Sequence, residues 1–159
     1  ARKYVFTVES EGFIQKSESV NYRKITQNEL TQNYALDSIR IGSRANFYNV
    51  RFNPNKATIK TTSEPELERI YNFLKANAGV FIDIKGHTNT NKLADQYFLQ
   101  KLSYRRAEAV RDYLVKKGIA SNRITFKGMG GSEPIIISDD FEKAQVNSRV
   151  EIVITNIID

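Results

Sequence analysis

Apolar and polar residues alternate with two different periods along this chain, and the change of period marks its elements. Near the start, Tyr4, Phe6 and Val8 alternate with Val5, Thr7 and Glu9, the two-residue repeat of a strand. Glu11-Gly12-Phe13-Ile14 reads as a turn into a second short strand. Residues 15 to 35 are rich in Ser, Asn, Gln and Thr, with few residues suited to a core, and predict a linker running over the surface. Leu36 to Ile41 offers one more short strand.

From Ala45 the pattern becomes regular. Phe47, Val50 and Phe52 suggest a strand ended by the turn residues Asn53-Pro54-Asn55. Ser63-Glu64-Pro65-Glu66 has the form of a capping box, opening a helix with Leu67, Ile70, Tyr71 and Leu74 on one face and Gly79 as its stop. Val80, Ile82 and Ile84 then alternate with Phe81, Asp83 and Lys85, a strand with one apolar and one mixed face. After a polar stretch, a second helix runs to Lys117, with basic residues in its last turn where the helix dipole favours them, and is closed by Gly118. Arg123 to Lys127 predicts a strand, Gly128 to Pro134 a loop, and Val150, Ile152 and Ile154 a final strand. The order strand, helix, strand, helix, strand, strand implies an α/β two-layer sandwich, with a mixed sheet and its helices mainly on one face.

One residue breaks the pattern of the second helix. Leu99, Leu102, Ser103, Val110, Tyr113 and Leu114 form an apolar stripe on the helical wheel, and Arg106 falls near its middle. A guanidinium there is costly unless an anion answers its donors. That anion is either a carboxylate of the protein or a bound carboxylate or phosphate; alternatively, the stem lies on apolar surface while its head reaches water. The loop between strand and helix, with His87, Thr88, Asn89, Thr90 and Asn91, favours a ligand, because strand ends that face helix starts are common binding sites.

Composition narrows the chemistry. The 159 residues, 40% of them hydrophobic, suit one domain with an appendage. No apolar run is long enough to span a membrane. The strand-like start at Ala1 suggests a segment cut from something longer. Without cysteine there is no disulfide, thiolate metal site or cysteine nucleophile, and one histidine excludes the usual multi-histidine metal sites, so neither metal nor cofactor is expected. His87 could serve as a general base, but no serine stands in a nucleophile-elbow pattern, and the simpler reading is a strand-end residue bonded within its loop. Glu64, Glu66 and Glu68 fit helix-start charges better than paired catalytic carboxylates, and the glycines around Gly130 lack a following Lys-Ser/Thr for phosphate. An enzyme is therefore not expected. The net charge of +6 suits an anionic partner. On the basic second helix, however, Arg105 and Arg111 project to different sides and Glu108 and Asp112 interrupt them, so a solvated face is preferred to a nucleic-acid surface.

Four ordered motifs carry a resemblance: Gly86-His87-Thr88-Asn89, Leu102-Ser103-Tyr104-Arg105-Arg106-Ala107, Gly128-x-Gly130 with Pro134, and Asn147-Ser148-Arg149-Val150-Glu151. Together, from about Ile39 to Thr155, they resemble the OmpA C-terminal-like domain shared by OmpA, Pal and MotB, with its patterns GHTD, LSxxRA and NRRVE. The resemblance implies non-covalent binding of peptidoglycan. The arginine matching Arg106 would grip a carboxylate of the stem peptide's diaminopimelate residue, Leu102 would shape the pocket, and Arg149 would support it from behind. Asn55, Thr88, Asn89 and Thr90 complete the expected ligand-binding set. Two expected carboxylates are amides here, at Asn89 and Asn55; Leu99 replaces a usual asparagine, and the spacing from Asn89 to Arg106 is two residues longer than usual. An amide offers no countercharge to an ammonium, so affinity for a free diaminopimelate amine should fall by ~1–2 kcal/mol, or the preferred ligand has that amine acylated.

Residues 1–38, through Phe6 to Phe13 and Ser17-Glu18, resemble the end of a carboxypeptidase-regulatory-like β-domain, as in PorE-like lipoproteins of type IX secretion. The resemblance then implies a domain tail with linker over 1–38 and the OmpA-like module over 39–159, in the periplasm at the outer membrane of a Gram-negative bacterium. Peptidoglycan would be the partner, with other envelope or secretion-complex proteins beside it. The alternative is a degenerate module that serves as a docking platform for such proteins.

Overall fold

The computed structural model describes residues 3–8, 10, 12–13, 16–21, 33, 35–47, 49–89 and 95–158, and divides the chain into two units, Ala1–Ile39 and Arg40–Asp159. In the first unit, β1 (Lys3–Val8) pairs antiparallel with β2 (Lys16–Asn21), in a register that sets Lys3 opposite Asn21 and Val8 opposite Lys16. The stretch expected to be linker from residue 15 thus holds a strand. Its composition hid it, because Lys-Ser-Glu-Ser-Val-Asn offers one apolar side chain and no alternation. Ser38 makes a single bridge to Phe13, with the Ile39 N–H donating to the Gly12 carbonyl, where a strand was expected over residues 36 to 41.

The second unit is a four-stranded sheet in the order β3-β6-β4-β5, with two helices on one face. β3 (Arg44–Phe47) and β4 (Val80–Gly86) both run antiparallel to β6 (Val150–Ile157), whereas β5 (Ile124–Gly128) runs parallel to β4, so the sheet is mixed. Ile82 and Ile84 of β4 stand in register with Ile124 and Phe126 of β5 and with Ile154 and Ile152 of β6, which puts one apolar row across the sheet. Against it pack Leu67, Ile70 and Leu74 of α1 (Glu64–Ala76) and Leu102, Ala107, Val110 and Leu114 of α2 (Gln96–Lys116), all buried. Each such aliphatic side chain contributes about 1.5–3 kcal/mol. The other face carries a charge ladder: Lys127 lies 3.0 Å from Asp83, and Glu151 lies 3.8 Å from Lys85 and 3.3 Å from Arg44. Opposite charges on neighbouring strands satisfy a face that no apolar residue could supply.

Two boundaries differ from the periodicity. β3 ends at Phe47; Val50 is buried beyond it, and Phe52 meets Ile59 in an isolated bridge, so residues 50 to 60 form a separate loop. Ser63 does not cap α1. Its hydroxyl accepts from the Arg51 N–H at 2.7 Å and donates to the Arg51 carbonyl at 3.0 Å, a tertiary bond that pins this loop to the helix. At the far end of α1, Arg123 donates to the carbonyls of Leu74, Asn77 and Val80, satisfying the helix C-terminus. The short helix α3 (Phe141–Ala144), capped by Asp140, precedes β6.

The helix α2 sits unusually close to the sheet. A Cβ on Gly86 would lie 2.2 Å from the Ser103 carbonyl oxygen, and one on Gly128 would lie 2.4 Å from the Tyr104 nitrogen. Only glycine lets strand ends and helix backbone meet at this distance. The Ser103 hydroxyl completes the seam, accepting from the Gly130 N–H at 2.8 Å and donating to Gln100. Gly86→Ala is therefore expected to cost about 2 kcal/mol or more, seen as a lowered urea midpoint with an unchanged m value.

Candidate functional site

The ends of β4 and the start of β6, the loop of residues 50 to 60 and one face of α2 enclose a cleft of about 430 Å³. Its floor is His87, Thr88 and Asn89, its walls are Phe52, Pro54 and Asn55 on one side and Leu99, Leu102 and Arg106 on the other, and Ser148 and Arg149 close its end. The sequence-predicted residues Asn55, Thr88, Asn89, Leu102, Arg106 and Arg149 thus all line one cavity. Thr90, predicted with them, lies outside the described residues.

Arg106 is half-buried between the α2 stripe and the 50–60 loop. Its Nε donates to the Lys56 carbonyl at 3.1 Å, and its guanidinium carbon lies 4.9 Å from the centre of the Phe52 ring. Among the described residues no carboxylate stands within ion-pair distance of it. An internal salt bridge is thereby ruled out among these residues, and the remaining donors of the fork belong to the cleft. Desolvation lowers the Arg106 pKa from its ordinary value, the mark of a cation held away from water without a countercharge.

The floor is built of residues fixed through their backbone. The His87 N–H donates to the Arg149 carbonyl at 3.0 Å and that of Thr88 to Gly130 at 2.8 Å, ending the sheet at the cleft. The Thr88 hydroxyl is buried and has no hydrogen-bond partner among the described residues. Asn89 is held twice: its N–H donates to the Ser148 hydroxyl at 3.0 Å, and its side-chain oxygen accepts from Asn147 Nδ2 at 3.3 Å. Asn147, buried, also donates to the Ile136 carbonyl and accepts from the Ile135 and Ile136 N–H groups, so one amide ties the floor to the loop of residues 131 to 138. Asn55 has φ +54°, a left-handed conformation that asparagine tolerates, and it turns the 50–60 loop at the rim. Arg149 is buried and donates to the Glu133 and Asn147 carbonyls, bracing the far end.

His87 departs from the loop-bonded residue expected. Its ring is buried, neither ring nitrogen has a hydrogen-bond partner among the described residues, and Nε2 lies 3.4 Å from Glu151 Oε2. Burial pushes its pKa below the ordinary imidazole value, the Arg149 charge adds to the effect, and Glu151 opposes both. His87, Glu133 and Glu151 bring three ligating atoms within 4.8 Å of one another. But Lys85 Nζ lies 3.8 Å from the same Glu151 oxygen and Arg44 lies 3.3 Å from the other, so protein cations already serve this carboxylate. We read the cluster as an ion-pair network, not a metal centre. Among the described residues no hydroxyl is hydrogen-bonded to the imidazole, so these residues assemble no nucleophile and base pair at the floor.

Sequence reasoning missed Phe52, Ser148, Asn147 and the Lys56 carbonyl. The last of these lies fifty residues from Arg106, and only Asn147 and Ser148 stood in a quoted motif, without a role.

The model of the OmpA family matches residues 51–148. The chain belongs to the OmpA family. Outer membrane protein A of Klebsiella aerogenes is 38% identical over 91 residues, 54% of this chain and 25% of that protein. The periplasmic domain of Helicobacter pylori MotB superposes with a TM-score of 0.64 at 25% identity, over 77% of this chain and 88% of that domain. The cell wall anchor of the Pseudomonas aeruginosa type VI secretion system superposes with a TM-score of 0.57 at 28% identity, over 66% and 74%. The chain spans only 13% to 35% of the length of the curated relatives it matches, so the likeness is that of one domain.

The depressed His87 pKa carries a sign. Above about pH 6.5 the ring is neutral both folded and unfolded and contributes no pH dependence; below it the unfolded chain takes up the proton first, and stability falls until the folded ring also protonates. Thermal melts between pH 7 and about pH 5 should therefore show a steeper acid loss in the parent chain than in His87→Asn.

Proposed function

We propose that this domain binds peptidoglycan non-covalently through its stem peptide, and so anchors an outer-membrane-associated complex to the cell wall on the periplasmic side. The observation that carries the reading is Arg106, a half-buried cation in a cleft of ligand size with no carboxylate of the described protein to answer it. A carboxylate of the diaminopimelate residue supplies that answer, taking two parallel N–H donors of the fork. Thr88 offers a hydroxyl, Asn89 and Asn55 offer amides, Leu102 and Phe52 bound the aliphatic stem, and Arg149 holds the end of the cleft in place. Membership of the OmpA family supports the reading, as do the similar structures of a MotB periplasmic domain and of a cell wall anchor. The β1-β2 hairpin, with the resemblance of residues 1–38 to a preceding β-domain, fits a multidomain envelope lipoprotein of the type IX secretion kind.

Nucleic acid is disfavoured by the way the basic residues of α2 are used. Arg111 lies over the Phe126 ring and beside Asp112, and Lys117 pairs with Glu68, so they form no continuous basic stripe. A second reading, a docking platform for envelope proteins, draws on one observation: Ile135, Ile137 and Val146 are exposed around a shallow apolar groove that Ile136 and Lys143 complete.

Sedimentation with purified insoluble peptidoglycan tests the first reading. The parent chain should co-sediment, and Arg106→Ala should lose about tenfold or more of that binding, as expected for a charge-assisted contact. Its melting temperature should stay close to the parent's, because the change removes an uncompensated half-buried charge. Failure of the parent chain to sediment, with Asn89→Asp restoring it, would instead favour the docking platform.

A further inference from the structure

The charges around the cleft are one-sided, and this bears on which form of the stem peptide enters it. Arg51, Lys60, Arg106 and Arg149 line it, while among the described residues no aspartate or glutamate does. Residues 90 to 94, Thr-Asn-Lys-Leu-Ala, include no acid. The next acid, Asp95, has a side-chain oxygen occupied by the N–H groups of Tyr97 and Phe98, where it caps α2. Glu133 and Glu151 bring carboxylates to the His87 ring without lining the cleft, and Glu151 is engaged by Arg44 and Lys85. The Asn89 oxygen, the floor acceptor nearest to a carboxylate in character, already accepts from Asn147.

A ligand carboxylate is therefore well served, but an ammonium on the same ligand would meet like charge and only neutral acceptors. Acylation removes that cost. It turns the ammonium into an amide whose N–H and C=O match the neutral donors and acceptors of Asn55, Thr88 and Gln145. Resting on the peptidoglycan reading above, we infer that the cleft selects stem peptides whose diaminopimelate side-chain amine is acylated, as it is within a cross-link, over those in which that amine is free. The domain then reports on the mature, cross-linked wall and discriminates against uncross-linked stems.

Calorimetric titration of the whole chain with three probes tests the inference: a tripeptide stem with a free side-chain amine, the same peptide acetylated on that amine, and a cross-linked dimeric stem. The acetylated and cross-linked peptides should bind about tenfold more tightly than the free amine at low salt, the size expected for one unanswered like charge. Asn89→Asp, which keeps an acceptor for Asn147 and adds a countercharge, should shrink or invert the preference. Because the main comparison uses the parent chain, it does not depend on how any variant folds. Equal binding, tighter binding of the free amine, or no binding of any peptide while the chain still sediments with the wall would overturn the inference and leave the peptidoglycan reading standing. Failure of every peptide together with failure to sediment would overturn both.

Discussion

The close approach of α2 to the ends of β4 and β5 is the constraint on which the rest of the second unit depends. Gly86 and Gly128 bring strand and helix backbones to a distance that no side chain would allow, and the Ser103 hydroxyl holds the seam by bonding to Gly130. With α2 pressed against the strand ends, its stripe serves two purposes along its length. Val110 and Leu114 sit in the core, while Leu99, Leu102 and Arg106 overhang the end of the sheet and become the wall of a cleft. The position of Arg106 follows from this packing as much as from its own chemistry.

What the cleft lacks gives it its character. A guanidinium placed over Phe52, tied by a single bond to a backbone carbonyl and met by no carboxylate of the described protein, is costly in the unliganded domain. On the proposed function, that cost would be recovered by an external anion. The floor is arranged to bear it: Asn89, held by Ser148 and Asn147, and Thr88, held through Gly130, are fixed before any ligand enters, so little ordering remains to be done on binding. Other charges of the unit are matched among themselves, in the ladder on the far face of the sheet and in the Glu68-Tyr113-Lys117 contact between the helices.

Local pattern revealed the elements whose information is local. The alternation of Val80, Ile82 and Ile84 marked β4, and the apolar stripe that holds Arg106 marked α2 and one wall of the cleft. Non-local contacts were invisible to it. Nothing near Phe52 or Lys56 announces Arg106, and the loop that carries them is held by the Ser63 hydroxyl, which bonds both to the N–H and to the carbonyl of Arg51. The same bond explains the failed capping box, since tertiary contact took the hydroxyl that local chemistry would have given to the helix. β2 escaped notice because its pairing rests on backbone hydrogen bonds, with polar side chains that leave no periodic trace. Asn147 stood in a recognised motif, but its work in joining Asn89 to residues 135 and 136 depends on the folded loop.

The central claim is that Arg106 is the anion contact of a preformed cleft, and nuclear magnetic resonance of isotope-labelled protein tests it most directly. Titration with a soluble stem peptide should shift the Arg106 Nε–H and the backbone amides of Thr88 and Asn89, with little change on the charged far face of the sheet. Shifts confined to residues 135 to 146, with the Arg106 Nε–H unmoved, would contradict the account and place binding on the apolar groove instead.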